Sequence, residues 1–454
     1  MNISPNVNEL LFLPLGGTGE IGMNVNLYGH NDQWLMIDCG VTFDVPLKRE
    51  DDIKPLVRKH RVVSADLSFI SNRRDKLCGL VLTHAHEDHL GAVVTQWEQL
   101  QCPIYTTAFT AEVLKRKAYR ANIPFDLPIV VVDANSELDI GPFTIKWLPT
   151  THSIPEANAL LLSTPVGHVL HTGDWKVDNN PVVGEGFKDA IFKSLQQKNI
   201  IAMVCDSTNA NRAGHSQSEK ECEKGLGDLI SRANGRVVVT CFASNIARLI
   251  TLAKIAKATN RYMCLFGPAL ENMVSIARVT GYWPDDFAIT PRRHVGYLPK
   301  HEVLIIATGS QGEPRAGLYK LAMNTHRDCD LDESDTVIFS SIVIPGNEKS
   351  VKRLIDLLAE RDVKVVQQAD TNMVIHASGH PNSEDLKKLF NLVKPKCVVP
   401  VHGEPMHLSA CAEVARSQFI PSQLVGLNGD LYRLAPTLSI KRKAIDAPRI
   451  AIDN

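Results

Sequence analysis

The segment GLVLTHAHEDHLG, residues 79–91, restricts this chain more than any other stretch of it. An apolar, strand-like run ends at Thr83; His84, His86, Asp88 and His89 follow within six residues; a helical pattern then starts at Leu90. A strand-to-helix turn gathers such side chains on one side, and imidazole with carboxylate suits zinc. A solvated loop that happens to be rich in histidine does not account for the H-x-H-x-D-H spacing. One loop cannot close two metal centres, so further ligands must come from elsewhere. Asp38 ends the strand in LMIDCG, His152 follows the strand FTIKWLP, Asp174 follows HVLHT, and His402 follows CVVPV. Each alone reads as a turn residue. Together with the cluster they read as ligands at one end of a sheet.

Two textures alternate along the chain. Residues 10–175 are strand-rich, with runs at 79–83, 103–107, 128–133, 143–149, 159–164 and 168–172, and helical patterns at 90–100 and 110–121. From about 201, strands at 201–205, 236–242, 261–266, 302–308 and 336–341 alternate with helices at 218–233, 246–258, 269–280 and 348–361. Such alternation indicates a parallel sheet covered on both faces. Strands at 363–368 and 397–401 and helices at 382–394 and 406–418 follow. Near the N-terminus, Gly17-x-Gly19-x-x-Gly22 imitates a dinucleotide fingerprint, with Asp38 close to the position of a ribose-binding acid. That fingerprint needs a helix after its third glycine. Here Met23-Asn24-Val25-Asn26-Leu27-Tyr28 alternates with period two, as a strand does. The loop therefore belongs to a meander.

Charged residues make up 22% of the 454 and balance to a net charge of −1, so no global field favours nucleic acid or membrane. Local basic runs at Arg58-Lys59-His60-Arg61, Lys115-Arg116-Lys117, Arg292-Arg293 and Lys441-Arg442-Lys443 read as solvated faces. Ten cysteines are scattered without a C-x-x-C pair, and no apolar stretch reaches spanning length. The expectation is a cytoplasmic protein with no membrane partner.

H-x-H-x-D-H with Asp38, His152, Asp174 and a late histidine resembles the metallo-β-lactamase fold, an α/β αββα sandwich. The regular α/β block occupies the slot where the β-CASP nucleases of that fold carry an inserted domain. CDSTNA with Asp206, HASGH with His380 and VHGE with His402 match their motifs. Within that group the sequence is most similar to ribonuclease J. The matching stretches include LGGTGEIGMN, THSIPEA, GDWKVD, DSTNANRAGHSQSE, FASNIAR, TGSQGEPRA, IPGNEKSV and KPKCVVPVHGE, and they span residues 15–404. The resemblance implies a metallo-β-lactamase domain over 1–205, a β-CASP domain over 206–368, a returning metallo-β-lactamase segment over 369–435 and a C-terminal tail over 436–454. Ribonuclease J proteins usually continue into a further C-terminal domain, whereas this sequence ends at Asn454, which leaves cleavage mode and homo-oligomer formation open. Trp175 stands where the family usually has phenylalanine, a change that should leave Asp174 in place.

The resemblance implies a zinc-dependent ribonuclease acting on single-stranded RNA, 5′-to-3′ and also able to cut internally. Two zinc ions fit the ligand count: one on His84, His86 and His152, the other on Asp88, His89 and His402, with Asp174 bridging. Asp88 is thereby also counted as catalytic, and Asp38 is expected to orient a ligand imidazole. His380 and Asp206 resemble the pair that handles the leaving group, a protonated imidazole held by a carboxylate. His376, Ser378 and Gly379 form a polar loop suited to a neighbouring phosphate. Ser244-Asn245 opens a helix as an anion site would, and Thr308-Gly309-Ser310-Gln311-Gly312 is a similar loop; ordinary capping explains both almost as well. Two rivals stand beside this. A small-molecule ester or thioester hydrolase of the same fold leaves HASGH and the α/β block without purpose. A non-catalytic RNA-binding protein would be free to lose a ligand.

Overall fold

The computed structural model describes residues 3–44, 61–124, 126–344 and 346–452. Its first strand, Leu10–Gly16, is buried at every position, which requires cover on both faces. It pairs antiparallel with Val25–His30, which pairs antiparallel with Gln33–Ile37, so Leu13 faces Leu27 and Leu27 faces Met36. The glycine loop joins the first two strands with Gly17, Gly19 and Gly22 at φ +81°, +92° and +87°, and no helix follows. Leu77–Val81, Ile104–Thr106 and Ile129–Val131 extend this sheet on one side. Leu431–Ala435 and Ser439–Lys441 extend it on the other, giving eight strands.

A second, seven-stranded sheet is built around Ile200–Asp206, which runs parallel to both Gly167–His171 and Cys397–Val401. The two sheets pack face to face. Phe12, Tyr28, Leu35 and Val81 of the first meet Trp147, Leu160, Val204 and Val399 of the second in one core. Each such fully buried side chain contributes roughly 1.5–3 kcal/mol. Helices Asp189–Ser194, Ser383–Val393 and Pro405–Ser417 cover the outer face of the second sheet. Leu11, Leu13 and Leu27, on alternate positions of their strands, turn the other way and pack under Ala108–Arg120 and neighbouring segments. The result is helix, sheet, sheet, helix.

A five-stranded, all-parallel sheet stands apart, in the order Tyr262–Phe266, Val303–Ala307, Val237–Thr240, Thr336–Phe339, Lys364–Val366. Helices Glu219–Ser231, Ile246–Ala258, Pro268–Val279 and Glu348–Ala359 accompany it, close to the spans expected from the sequence.

Three sequence expectations need correction. The strand at 201–205, grouped by texture with the alternating block although the 1–205 bound keeps it in the first domain, belongs to the seven-stranded sheet, where its residues face Val398 and Val399 of the late strand. The helix expected over 90–100 is two single turns, Glu87–Leu90 and Trp97–Leu100. The carbonyls of Glu87, Asp88 and His89 accept from the backbone N–H groups of Val41, Asn24 and Cys39, so the loop around Asp38 holds the first turn in place of a longer helix. Finally, Ser439–Lys441 and Arg449–Ala451 are paired strands, the latter in a small sheet with Arg61–Ala65 and Thr42–Asp44 that no sequence signal announced. Of the basic runs, Arg58, Lys59 and His60 lie outside the described residues, while Arg116 meets Glu112, Lys117 meets Glu87 and Arg442 meets Asp430. Among the described residues no helix is long and apolar enough to cross a membrane.

Candidate metal centre

Six strands of the sandwich end at one rim; the last residue of one is Asp206, and the segments leaving the other five carry Asp38, His84, His152, Asp174 and His402. Hydrogen bonds fix which ring nitrogen each histidine presents. His152 Nδ1 donates to the Gly379 carbonyl at 2.7 Å, so its Nε2 carries a free lone pair. Thr83 Oγ1 donates to Asp38 at 2.9 Å and lies 3.0 Å from His84 Nδ1, which leaves His84 Nε2 likewise free. Both nitrogens converge on His86 Nδ1, at 3.0 Å from His152 and 3.1 Å from His84. His86 Nδ1 can offer at most one proton to the two, so one lone pair faces another without a hydrogen between them. A tetrahedral metal with bonds near 2.0–2.1 Å sets its ligands about 3.3 Å apart, and such an ion resolves the conflict.

Asp174 Oδ2 lies 3.8 Å from both His84 and His152 and closes this first donor set. The same oxygen is 3.2 Å from His89 Nε2, and Asp174 Oδ1 is 3.0 Å from His402 Nδ1. Asp88 Oδ2 sits 3.7 Å from His89 Nε2 and 3.2 Å from His402 Nε2, completing a second set with Asp174 common to both. His402 Nε2 is buried and, Asp88 Oδ2 apart, has no polar partner among the described residues. Behind the second set, His89 Nδ1 donates to Asp38 Oδ2 at 2.7 Å, and the Thr83 N–H donates to Asp38 Oδ1 at 2.8 Å. Asp38 and His402 both adopt left-handed backbone, φ +62° and +53°, rare for residues other than glycine and concentrated where function imposes it.

Electrostatics separates the two sets. Burial, reinforced by neighbouring imidazoles, pushes His84 and His152 well below the usual histidine value and His86 down to about 4. They are neutral at pH 7, the form a metal ligand requires. Burial also opposes charge on His89 and His402, but Asp174, Asp88 and the carboxylates behind them outweigh it, holding His89 high and His402 at about 10. Asp88 and Asp174 are depressed despite burial, by those same imidazoles. Asp38, Asp88, Asp174 and Asp206 thus crowd one rim where the charge-bearing neighbours are histidines. Nitrogen and oxygen donors and a lone-pair conflict fit a metal site.

Gly379 shows why its position admits no side chain: a Cβ there would lie 2.4 Å from His152 Cε1. His380, in the same loop, places Nδ1 2.9 Å from Asp206 Oδ2 and 3.8 Å from Asp174 Oδ2. Burial disfavours its charged form, yet Asp206 and Asp174 raise it above the usual histidine value.

Comparison with known proteins decides the family. Residues 19–189 match the metallo-beta-lactamase superfamily, 234–358 the ribonuclease J beta-CASP domain, and 349–421 the Zn-dependent metallo-hydrolase RNA specificity domain. The chain is 40% identical over 432 residues to ribonuclease J of Sinorhizobium meliloti, covering 94% of this chain and 75% of that protein. It belongs to the ribonuclease J family. The Synechocystis ribonuclease J is 33% identical over 94% of this chain and 66% of its own length, and that of Helicobacter pylori 32% over 97% and 63%. The solved structure of a protein of unknown function from Enterococcus faecalis V583 shares the fold, with a TM-score of 0.64 at 18% identity over 94% of this chain and 100% of that one. The sandwich is a metallo-β-lactamase domain and the five-stranded sheet its inserted β-CASP domain.

Within this ribonuclease J fold, several supporting residues escaped the sequence reading. Thr83 joins Asp38 to His84; Thr208 Oγ1 donates to Asp206 Oδ1 at 2.7 Å and lies 3.3 Å from His402 Nδ1; Asn24 meets His89 Nε2 at 3.1 Å. Gly17, taken only as a turn, accepts from the His402 N–H at 2.5 Å, so the glycine loop steadies a donor directly. Position within the motifs T-H-A-H and CDSTNA was the available signal for Thr83 and Thr208. Ser244 and Asn245 are not gathered at the donor sets: Asn245 Oδ1 accepts from Arg248 N at 2.9 Å as the cap of Ile246–Ala258. That helix reaches the site through buried Arg248, which holds Glu219 in a bidentate pair and donates to the Ile375 carbonyl beside the HASGH loop. Trp175 is buried against Phe187 and leaves Asp174 at the rim.

Asp38→Ala frees His89 to rotate. Metal affinity should fall about 10–100-fold, as second-sphere losses do, measured by competition with a chelator. An unaltered affinity would mean that packing alone orients His89.

Proposed function

We propose that this chain is a metal-dependent ribonuclease that binds two zinc ions and degrades single-stranded RNA from its 5′ end. The observation that carries the reading is one carboxylate, Asp174, shared by two donor sets, with the His380–Asp206 pair 3.8 Å from it. His84, His86 and His152 would hold one ion, Asp88, His89 and His402 the other, and Asp174 both. Such a pair of ions supplies an acidified water as nucleophile and neutralises charge on the phosphodiester.

The chain's own residues do the rest. His380, protonated and held by Asp206, is set to give a proton to the departing oxygen. Ser378 Oγ accepts from Asn209 Nδ2 at 2.8 Å and from His380 N at 3.2 Å, which leaves its hydroxyl hydrogen free for a phosphate oxygen. His376 Nε2, buried and without a hydrogen-bond partner among the described residues, lies in the same loop. A small-molecule hydrolase needs neither the His380–Asp206 pair nor the inserted sheet. A protein that only held RNA would have no use for nested donor sets of this kind.

The test is incubation of metal-loaded protein with end-labelled RNA bearing a 5′-monophosphate, triphosphate or hydroxyl. A loop fitted to one terminal phosphate predicts fastest decay of the monophosphate, with mononucleotides as the main product. Each charge-assisted hydrogen bond there is worth roughly 1.5–3 kcal/mol, so Ser378→Ala should narrow the preference roughly 10–100-fold. Indifference to the 5′ end, with internal fragments first, would make the enzyme chiefly an endonuclease.

A further inference from the structure

The five-stranded sheet carries a second feature at its carboxyl end. A cavity of about 450 Å³ opens among the segments that leave Val237–Thr240, Tyr262–Phe266 and Val303–Ala307. The chain winds outward from the first of these strands to the second, returns to the third, and then crosses to Thr336–Phe339 on the other side. The winding therefore reverses between Val237–Thr240 and Thr336–Phe339, so the cavity adjoins that switch point on its Val237–Thr240 side, and the carboxyl ends of open parallel sheets near such reversals are where they bind ligands. The cavity is of the size that small ligands fill.

Its lining is basic and aromatic. Arg315 and Lys320 reach it without an acidic partner among the described residues. Arg292 also lines it and faces Asp328 at 3.7 Å. Glu313, the one acid in the wall among the described residues, is occupied in accepting from Gln311 N at 2.9 Å. Arg315 holds φ +71°, where glycine would sit without strain, so a side chain is kept there against backbone preference. His326 stacks flat on Phe266, ring centroids 4.2 Å apart, and Phe242 faces the same space. Cations for a phosphate and ring faces for a base are what nucleotide recognition requires.

The sheet that carries the cavity also contacts the HASGH loop. Ser340, just beyond Thr336–Phe339, donates to the Ile375 carbonyl at 2.6 Å, and its own carbonyl lies 3.3 Å from His376 Nδ1. From there the cavity's strands are one, two and three strand spacings away, about 5–15 Å. A few nucleotides at about 3.4 Å each cover that distance.

We propose that this cavity binds a nucleotide, its phosphate on Arg315, Lys320 and Arg292 and its base against Phe242 or His326, as a second contact remote from the cut. The proposal rests on the ribonuclease reading above. The test uses metal-loaded full chain and 5′-monophosphorylated oligoribonucleotides from about 3 to about 15 nucleotides long. For wild type, KM should fall about tenfold as length passes the span to the cavity. In Arg315→Gln/Lys320→Gln that gain should vanish, the loss falling on KM for long RNA. The slope of log KM against log salt should shrink by about 1.4, two single-strand phosphate contacts at 0.7 each. A free 5′-mononucleotide that raises KM for long RNA but not for the trinucleotide makes released product the occupant; without that effect, the strand itself is. A double variant that keeps the length gain, or loses equally at every length, overturns the proposal. Wild type that cuts no RNA of any length would instead overturn the ribonuclease reading.

Discussion

Asp174→Ala should remove metal from both donor sets and with it RNA cleavage. Asp174 alone belongs to both proposed donor sets, lying within 3.8 Å of His84, His89, His152 and His402 at once. On the proposed two-ion reading, its loss would take a ligand from each ion and the charge shared between them. Lewis-acid stabilisation is worth several kcal/mol, so the rate should drop roughly 10³-fold or more. Metal analysis and initial rates on single-stranded RNA check this, with circular dichroism to confirm folding. A variant that keeps a full complement of metal and a tenth of its activity would show that Asp174 is not shared.

His380→Ala should behave differently. The metal content should hold while the rate falls roughly 10²–10⁴-fold, the range for loss of a general acid. A nitrophenyl phosphodiester, whose leaving group needs no proton, should be spared most of that loss. Equal impairment on both substrates would make His380 a phosphate-positioning residue. The pH profile carries a sign as well. Asp206 and Asp174 raise His380 against the effect of burial, so the active acid form is lost as pH rises through that elevated value. Asp206→Asn removes much of what holds the imidazolium, and the alkaline limb should move to lower pH. A limb that stays in place would assign it to another group.

Much of this architecture was legible because alternation in the sequence maps directly onto burial. Phe143–Pro149, Gly167–His171 and Cys397–Val401 stand close to where their apolar runs placed them, and the helices Glu219–Ser231, Ile246–Ala258, Pro268–Val279, Glu348–Ala359, Ser383–Val393 and Pro405–Ser417 likewise. The metal candidates were legible because each follows such a strand, and strand ends meet at one rim. Helix propensity failed at 90–100, where backbone carbonyls are claimed by the loop around Asp38, a contact between segments about fifty residues apart. It could not show Arg449–Ala451 pairing with Arg61–Ala65, since three-residue strands carry no periodicity. Nor could spacing assign Gly379 to making room for His152, because that contact joins residues more than two hundred positions apart. The basic run at Arg292 read as a solvated face because Lys320 and Arg315, its companions around the cavity, are distant in sequence.

The most direct test of the account is anomalous diffraction at the zinc edge from crystals of the metal-loaded protein, together with metal analysis of the same sample. Two peaks per chain are expected, one against His84, His86 and His152, the other against Asp88, His89 and His402, with Asp174 touching both. A single peak, or peaks away from these residues, would contradict it.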